Sequence, residues 1–170
     1  MPVFITKLGG IMNIRLATAL DADRIFEIYE YARAYMKAHG NPYQWGDDRP
    51  KKSLTEDDIK NQRCYVMEDD GHIFACFVFT IGFEKAYEAK FPSKVEYGVI
   101  HRVASDGSKS GIVERIVDFA KGKVNLLRID THEDNKTMQR AIERQNFKRI
   151  GIIYLEDKSA RILYELKEGL

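Results

Sequence analysis

The alternation of strand and helix patterns in the second half of this chain constrains its fold more than any other feature. Residues 95–104 read as a strand. Residues 108–121 read as a helix with Ile112, Val113, Ile116, Val117 and Ala120 on one face. Residues 124–131 form a second strand pattern, and a helix capped by Asp134 or Asn135 runs to about residue 145 with Met138, Ala141 and Ile142 turned inward. Strand, helix, strand and helix in this order imply a parallel pair joined through a crossover. Two more strands, 147–155 and 160–166, flank a turn at 156–159.

The first half supplies antiparallel strands and two helices. A short strand at 13–17 precedes a helix that Asp21 can cap and that runs to about residue 38. Its apolar stripe is Ala22, Ile25, Phe26, Tyr29, Ala32 and Met36, and Gly40, Asn41 and Pro42 stop it. A polar stretch at 42–52 holds the single tryptophan, Trp45. Thr55 is expected to cap a short helix, with Asp58 three residues on in a capping-box role. Strands at 63–68 and 72–83 meet at Asp69-Asp70-Gly71, and Asp-Gly between β-rich runs marks a hairpin. Residues 84–94 are a polar insertion with no clear pattern. The expected fold is α/β (α+β): a mixed, mainly antiparallel sheet with helices on both faces. Met12 begins a segment that reads as a domain start, so 1–11 is expected to be an N-terminal extension and 12–170 a single domain.

Composition narrows the function classes. The 170 residues suffice for one compact domain with a real core. There are 27 Lys plus Arg against 26 Asp plus Glu, so the net charge of +1 argues against a general nucleic-acid binder. Cys64 and Cys76 lack zinc-site spacing and are too few for a disulfide scaffold, so two buried free thiols are expected. No stretch approaches a membrane span, and residues 1–11 lack the apolar core of a secretory signal. A cytoplasmic protein without membrane partners is the expectation.

Two regions carry chemistry. Ser105-Asp106-Gly107-Ser108-Lys109-Ser110-Gly111 follows a strand and precedes a helix. Small residues there leave backbone N–H groups open to an anion, the helix dipole favours phosphate, and Lys109 adds a point charge. An ordinary strand-to-helix turn has the same composition. The second region, Asp130-Thr131-His132-Glu133-Asp134-Asn135, lies at the carboxyl end of a parallel strand, where ligands bind in open α/β sheets.

With these residues in place the chain resembles the GNAT superfamily of N-acetyltransferases, in element order over nearly the whole length from Met12. The family's pyrophosphate loop, Gln/Arg-x-x-Gly-x-Gly/Ala, corresponds to Ser108-Lys109-Ser110-Gly111-Ile112-Val113. Gly111 matches the first glycine, while Ser108 and Val113 depart from the pattern. Asn135 and Asn146-Phe147 stand at the spacing of the family's later motif, and Gln44-Trp45-Gly46 with the Ile-Asp-Thr-His stretch look like a bacterial subgroup. The resemblance implies acetyl-CoA as acetyl donor. It assigns cofactor binding to Arg102, Val103, Ser108, Lys109, Ser110, Gly111, Ile112, Val113, Asn135 and Met138, with the strand near Val103 pairing to the pantetheine amides.

Catalytic and acceptor candidates follow. His101 shares a strand face with Tyr97, Val99 and Val103, and the ordinary titration range of histidine suits proton removal from an ammonium; a hydrogen-bonded strand histidine fits equally. Glu96 points the other way. Many family members use a tyrosine on the last helix as acid toward the thiolate, and Ile142 stands at that spacing here. Tyr164 is the substitute, or else a half-buried sheet tyrosine. Asp130 and His132, on one strand face, either orient the amine or cap the next helix; with His39 and His72 the only other histidines, no metal is expected. Trp45 is either a wall of the substrate site or a plug at the core edge. The implied activity is N-acetyl transfer to a primary amine, small molecule or peptide, directly within a ternary complex. The rivals are a non-catalytic acyl-CoA-binding or regulatory domain and a protein-interaction module. A homodimer is the base-rate expectation.

Overall fold

The computed structural model describes residues 3–7 and 10–168. Of the expected extension over 1–11, residues 1, 2, 8 and 9 lie outside the described residues. Eight strands form one sheet in the order β1-β2-β3-β4-β5-β6-β8-β7. These are β1 (Val3–Lys7), β2 (Gly10–Leu16), β3 (Cys64–Asp69), β4 (His72–Gly82), β5 (Tyr97–Ser105), β6 (Leu126–Thr131), β7 (Lys148–Tyr154) and β8 (Ala160–Lys167). The helices are α1 (Ala22–Ala38), α2 (Lys52–Lys60), α3 (Lys85–Glu88), α4 (Ile112–Lys121) and α5 (Lys136–Arg144). The chain divides into two compact units, one within Met1–Phe79 and Arg102–Ile112, the other within Thr80–His101 and Val113–Leu170. Strands β4 and β5 each run through both.

In the first unit β1, β2, β3 and β4 pair antiparallel in chain order. The β3–β4 turn is the Asp70-Gly71 hairpin, with φ of 50° and 80°, the two left-handed positions that this dipeptide fills readily. Helix α1 buries Ile25, Ile28, Tyr29 and Ala32 against Val66, Cys76, Val78 and Ala104. Each fully buried isoleucine contributes about 1.5–3 kcal/mol of transfer free energy. Asp21 stands at the N-cap position of α1, but its side chain does not cap that helix as expected: it accepts from the Thr18 N–H at 2.7 Å, closing the single turn before α1, and from both ends of the Arg15 guanidinium at 2.8 and 3.0 Å. These bonds hold the Asp21 carboxyl below its ordinary range against the opposing effect of burial. Both cysteines are free and buried, and burial pushes the Cys64 thiol up to about 12.

Helix α2 begins three residues earlier than the expected Thr55 cap. Thr55 is buried inside it with its hydroxyl directed at the Lys51 carbonyl, and Asp58 lies near its end, 1 % exposed. Tertiary partners for Asp58 outweigh its local preference for a helix start.

In the second unit β5 and β6 run parallel with α4 as the crossover, and β6–β8 and β8–β7 are antiparallel. Its core joins Tyr87, Tyr97, Val99, Leu126, Ile153 and Leu163. The expected polar insertion at 84–94 carries α3, whose Tyr87 is fully buried. Helix α4 starts at Ile112, not at 108, because Asp106 and a left-handed Gly111 (φ 72°) hold the preceding residues in a turn.

Candidate active site

The pairing of strand β5 with β6 ends in the middle of β5. Its parallel register with β6 runs Gly98↔Leu127, Val99↔Arg128, Ile100↔Ile129 and goes no further. Two residues on, Arg102 has φ 49°, a left-handed conformation that costs a residue with a Cβ about 1–2 kcal/mol. The tie that holds it is Asp58 of α2. The Arg102 guanidinium donates to Asp58 Oδ2 through Nε at 3.1 Å and Nη2 at 2.7 Å, while Arg63 Nε reaches Oδ1 at 3.1 Å. The Arg102 side chain is therefore committed to Asp58 within the first unit. Val103, next in the strand, is half-buried. The ladder that would have paired this stretch with β6 has ended, so the backbone here can bond elsewhere.

The strand then enters the turn singled out in the sequence. Asp106 is its hub. Its Oδ1 accepts from the Ser108 N–H at 2.9 Å and hydroxyl at 2.6 Å; its Oδ2 accepts from Arg24 Nη2 at 2.7 Å and faces His72 Nε2 at 3.0 Å. Burial opposes ionisation of Asp106, but the Ser108 bonds, His72 and Arg24 together lower its carboxyl below the ordinary range. Ser108 thus stabilises the turn, and Lys109 pairs with Asp69 at 2.9 Å. Ser110 and Gly111 are exposed, and Ile112 and Val113 open α4 half-buried. The first turn of a ten-residue helix leaves N–H groups without intrahelical acceptors. The N–H groups without intrahelical acceptors therefore begin at Ile112, directly after the left-handed Gly111.

In the second unit the face carrying Tyr97, Val99 and His101 of β5 continues on β6 as Arg128 and Asp130. Helix α3 covers it. The Tyr87 hydroxyl, buried, donates to Asp130 Oδ2 at 2.5 Å; burial first, then the Asp130 carboxylate, raises the phenol well above its ordinary range. His101 Nε2 stands 3.6 Å from Glu84 Oε2, an ion pair when the ring is protonated. Tyr97 donates to Glu88 Oε1 at 2.7 Å and accepts the Glu84 N–H at 2.9 Å. Arg128, 4 % exposed, donates to Glu165 Oε2 at 2.9 Å and to the Phe91 carbonyl at 2.8 Å, with its guanidinium 4.4 Å from the centre of the Tyr97 ring. The insertion is thereby locked over the β5–β6 face.

The other candidates take local roles. His132 Nδ1 accepts the Asp134 N–H at 3.0 Å, and Asn135 caps α5 by accepting the Met138 N–H at 3.0 Å. Met138 is half-buried. Tyr164 is fully buried, its hydroxyl 3.4 Å from Glu143 Oε1, and burial followed by the Glu143 charge raises its phenol. Ile142 is buried in α5. Trp45 packs edge-on against Tyr29, with ring centres 5.4 Å apart, at the margin of the first unit's core. Among the described residues no group of three or more His, Cys, Asp or Glu is placed to hold a metal, and no helix is long and apolar enough to cross a membrane. Sequence reasoning missed Asp58, Glu84 and Tyr87. The one available signal for Tyr87 was an aromatic residue at helical spacing from Phe83 and Phe91 in an otherwise polar stretch.

No protein-family model matches the sequence, and no curated protein matches it. Solved structures do. A GNAT-family acetyltransferase from Streptococcus agalactiae matches with a TM-score of 0.83 at 27 % identity, over 94 % of this chain and 96 % of that one. The yncA protein of Salmonella typhimurium, solved with its cofactor acetyl-CoA, matches with a TM-score of 0.62 at 14 % identity, over 93 % and 94 %. The aminoglycoside acetyltransferase AAC(6')-Ib, solved with coenzyme A and kanamycin, matches with a TM-score of 0.67 at 16 % identity, over 92 % and 95 %. The chain has the GNAT acyl-CoA N-acyltransferase fold, and the solved structures it matches include GNAT-family acetyltransferases.

Proposed function

We propose that this GNAT-fold chain is an acetyl-CoA-dependent N-acetyltransferase that acts on a primary amine by direct transfer within a ternary complex. The observation that carries the reading is the break in β5: pairing to β6 stops after Ile100, the backbone turns left-handed at Arg102, and the strand leads through a pinned turn into the start of α4. A strand freed from its neighbour offers amide groups to the pantetheine arm, and the N-terminal turn of α4 offers N–H groups to the pyrophosphate. Ser110, Gly111, Ile112 and Val113 supply that turn. Ser108 and Lys109 shape it through Asp106 and Asp69. Asn135 and Met138, where α5 begins, complete the cofactor set.

The backbone near Val103 polarises the thioester carbonyl. His101 takes a proton from the ammonium, so that the neutral nitrogen attacks the carbonyl carbon. An N–C bond forms, the C–S bond breaks, and the thiolate leaves to be protonated. Tyr164, the donor considered from the sequence, pairs with Ile129 and so projects from the sheet face opposite His101 and Asp130, buried beside Glu143; solvent is the proton source for the thiolate. Asp130 and His132 orient the amine. Positioning the two substrates contributes much of the rate.

Thiol release from acetyl-CoA with polyamines, amino acids and aminoglycosides tests the activity. His101→Ala lowers kcat/KM for an accepted amine by roughly 100-fold or more while acetyl-CoA affinity stays near wild type. Gly111→Glu weakens acetyl-CoA binding about tenfold, on the order of 1.4 kcal/mol. Acetyl-CoA binding without thiol release from any amine identifies the non-catalytic alternative, and no binding by calorimetry removes both.

A further inference from the structure

We infer that Tyr87 is a positioning residue for the acceptor: it holds the Asp130 carboxylate beside the His101 imidazole so that the two together receive an aliphatic amine in its ammonium form. The inference rests on the acetyltransferase reading above and adds a residue on α3 that acts through Asp130.

Asp130 and His101 occupy equivalent places. Each is the residue just beyond the last registered pair of the parallel ladder, Ile100↔Ile129. Residues in register in a parallel pair project to the same face, so both side chains leave the sheet on the side that α3 covers. Tyr87 is common to them: its hydroxyl donates to Asp130 Oδ2 at 2.5 Å and its ring centre lies 6.4 Å from that of His101, which puts a carboxylate and an imidazole on either side of one phenol where β5 parts from β6. Neither is used up by the protein. Tyr87 occupies Asp130 Oδ2, and among the described residues no protein donor reaches Oδ1. Glu84 stands by His101 Nε2, and among the described residues Nδ1 has no protein partner. With Nε2 protonated toward Glu84, Nδ1 carries the lone pair. Two acceptor atoms without a protein donor, one of them anionic, flank the same tyrosine, which suits an ammonium with several N–H donors and not a neutral arylamine.

Tyr87 is built for one task. It is fully buried, stacked at 6.3 Å on Tyr97 and 6.4 Å from the His101 ring, so its hydroxyl cannot turn to water. Its phenol stays protonated, which makes it an obligate donor to Asp130. An aspartate side chain has two free torsions, and this bond removes the rotation that would carry Oδ1 away from His101. Once bound, the ammonium gives one N–H to Asp130 Oδ1 and transfers another proton to His101 Nδ1. Glu84 stabilises the resulting imidazolium, and the nitrogen lone pair is released for attack.

The test is a double-mutant cycle on Tyr87→Phe and Asp130→Asn, read as separate KM and kcat values for an accepted alkylamine and for acetyl-CoA. Tyr87→Phe preserves the ring and its stacking. Each single variant raises the alkylamine KM by about tenfold, the scale of one charge-assisted hydrogen bond, and leaves the acetyl-CoA KM within twofold. The double variant is no worse than Asp130→Asn, because Tyr87 acts through that carboxylate. An arylamine acceptor, where one is turned over, is unaffected by either change. Additive effects, or equal effects on both substrates, overturn the inference and make Tyr87 a packing residue. Should Tyr87→Phe fail to fold, Asp130→Asn decides alone, since the amide can still accept from Tyr87: an unchanged alkylamine KM overturns the inference. No thiol release by wild type with any amine refutes the acetyltransferase reading itself, and the inference falls with it.

Discussion

Asp58→Asn tests what holds the break in β5. Asp58 is 1 % exposed and receives Arg102 Nε, Arg102 Nη2 and Arg63 Nε. Asparagine keeps the shape but loses the charge, and it turns an NH2 donor toward one of two guanidinium donors. Breaking a buried ion pair from one side costs about 3–5 kcal/mol. The side chains of Arg63 and Arg102 are 34 % and 23 % exposed, so water recovers part of the loss. The expected destabilisation is therefore about 2–3 kcal/mol, below that range because of solvent screening. For a chain of this size that corresponds to a Tm lower by roughly 4–12 °C. The second readout is acetyl-CoA affinity by calorimetry at a temperature where the variant is folded. Loosening the tie lets Arg102 leave its left-handed conformation, which moves the backbone proposed to meet the pantetheine arm, and affinity falls. Arg63→Gln is the control, because it perturbs Asp58 from the side away from β5: it lowers Tm but spares affinity. An Asp58→Asn Tm within about 1 °C of wild type refutes the view that this carboxylate holds the strand. Equal losses of affinity in the two variants refute the specific role of Arg102.

Two further outcomes follow from single features. Gly107 has φ 79°, and a Cβ there would run into the Tyr31 hydroxyl. Gly107→Ala lowers stability in urea by about 1–2 kcal/mol from the left-handed conformation alone, plus a contact contribution that disappears in a Tyr31→Ala background. If the penalty is unchanged by Tyr31→Ala, the collision contributes nothing. Asp21 links stability to acid: its carboxyl is depressed in the folded state, so its contribution is complete above the ordinary aspartate range near about 3.9 and disappears as pH falls through the folded value. The gap in urea midpoint between wild type and Asp21→Asn is therefore wide at pH 6 and narrows toward pH 3. A gap independent of pH removes Asp21 from the acid response.

The sequence made legible whatever is decided by neighbours along the chain. The Asp70-Gly71 turn declares itself because few dipeptides tolerate two left-handed residues, and the β5-α4-β6 crossover because its hydrophobic period changes from strand to helix and back. Asn135 was legible as a cap for the same reason, since its acceptor role spans three residues. What stayed hidden is decided by residues far apart in sequence. Asp58 looked like a capping-box acid, but its Arg102 partner lies 44 positions away; Tyr87 sat in an unpatterned insertion, and its Asp130 partner lies 43 positions away. Neither pairing leaves a local signature. The turn before α4 shows a subtler limit: composition identified its residues but not their direction, and Ser108 and Lys109 bond inward to Asp106 and Asp69.

The same division explains why the candidate site centres on β5. A strand that stayed paired along its full length would spend every backbone group on its neighbours and have none to offer a ligand. Parting from β6 after Ile100 leaves amide groups to be satisfied elsewhere, and it makes His101 and Asp130 the first side chains beyond the ladder that the two strands share. Such a break persists only if something outside the strand compensates its cost of about 1–2 kcal/mol. In the first unit that compensation is Asp58 on Arg102, and in the second the Tyr87 and Arg128 network fixes the strand end that precedes it. Removing either support therefore has its own signature. Loss of Asp58 acts on the backbone after the break and on the donor substrate, whereas loss of the Tyr87 hydroxyl acts on the side chains before it and on the acceptor. A variant of either residue that weakened both substrates equally would mean that the break is maintained by the sheet as a whole and not by these two ties.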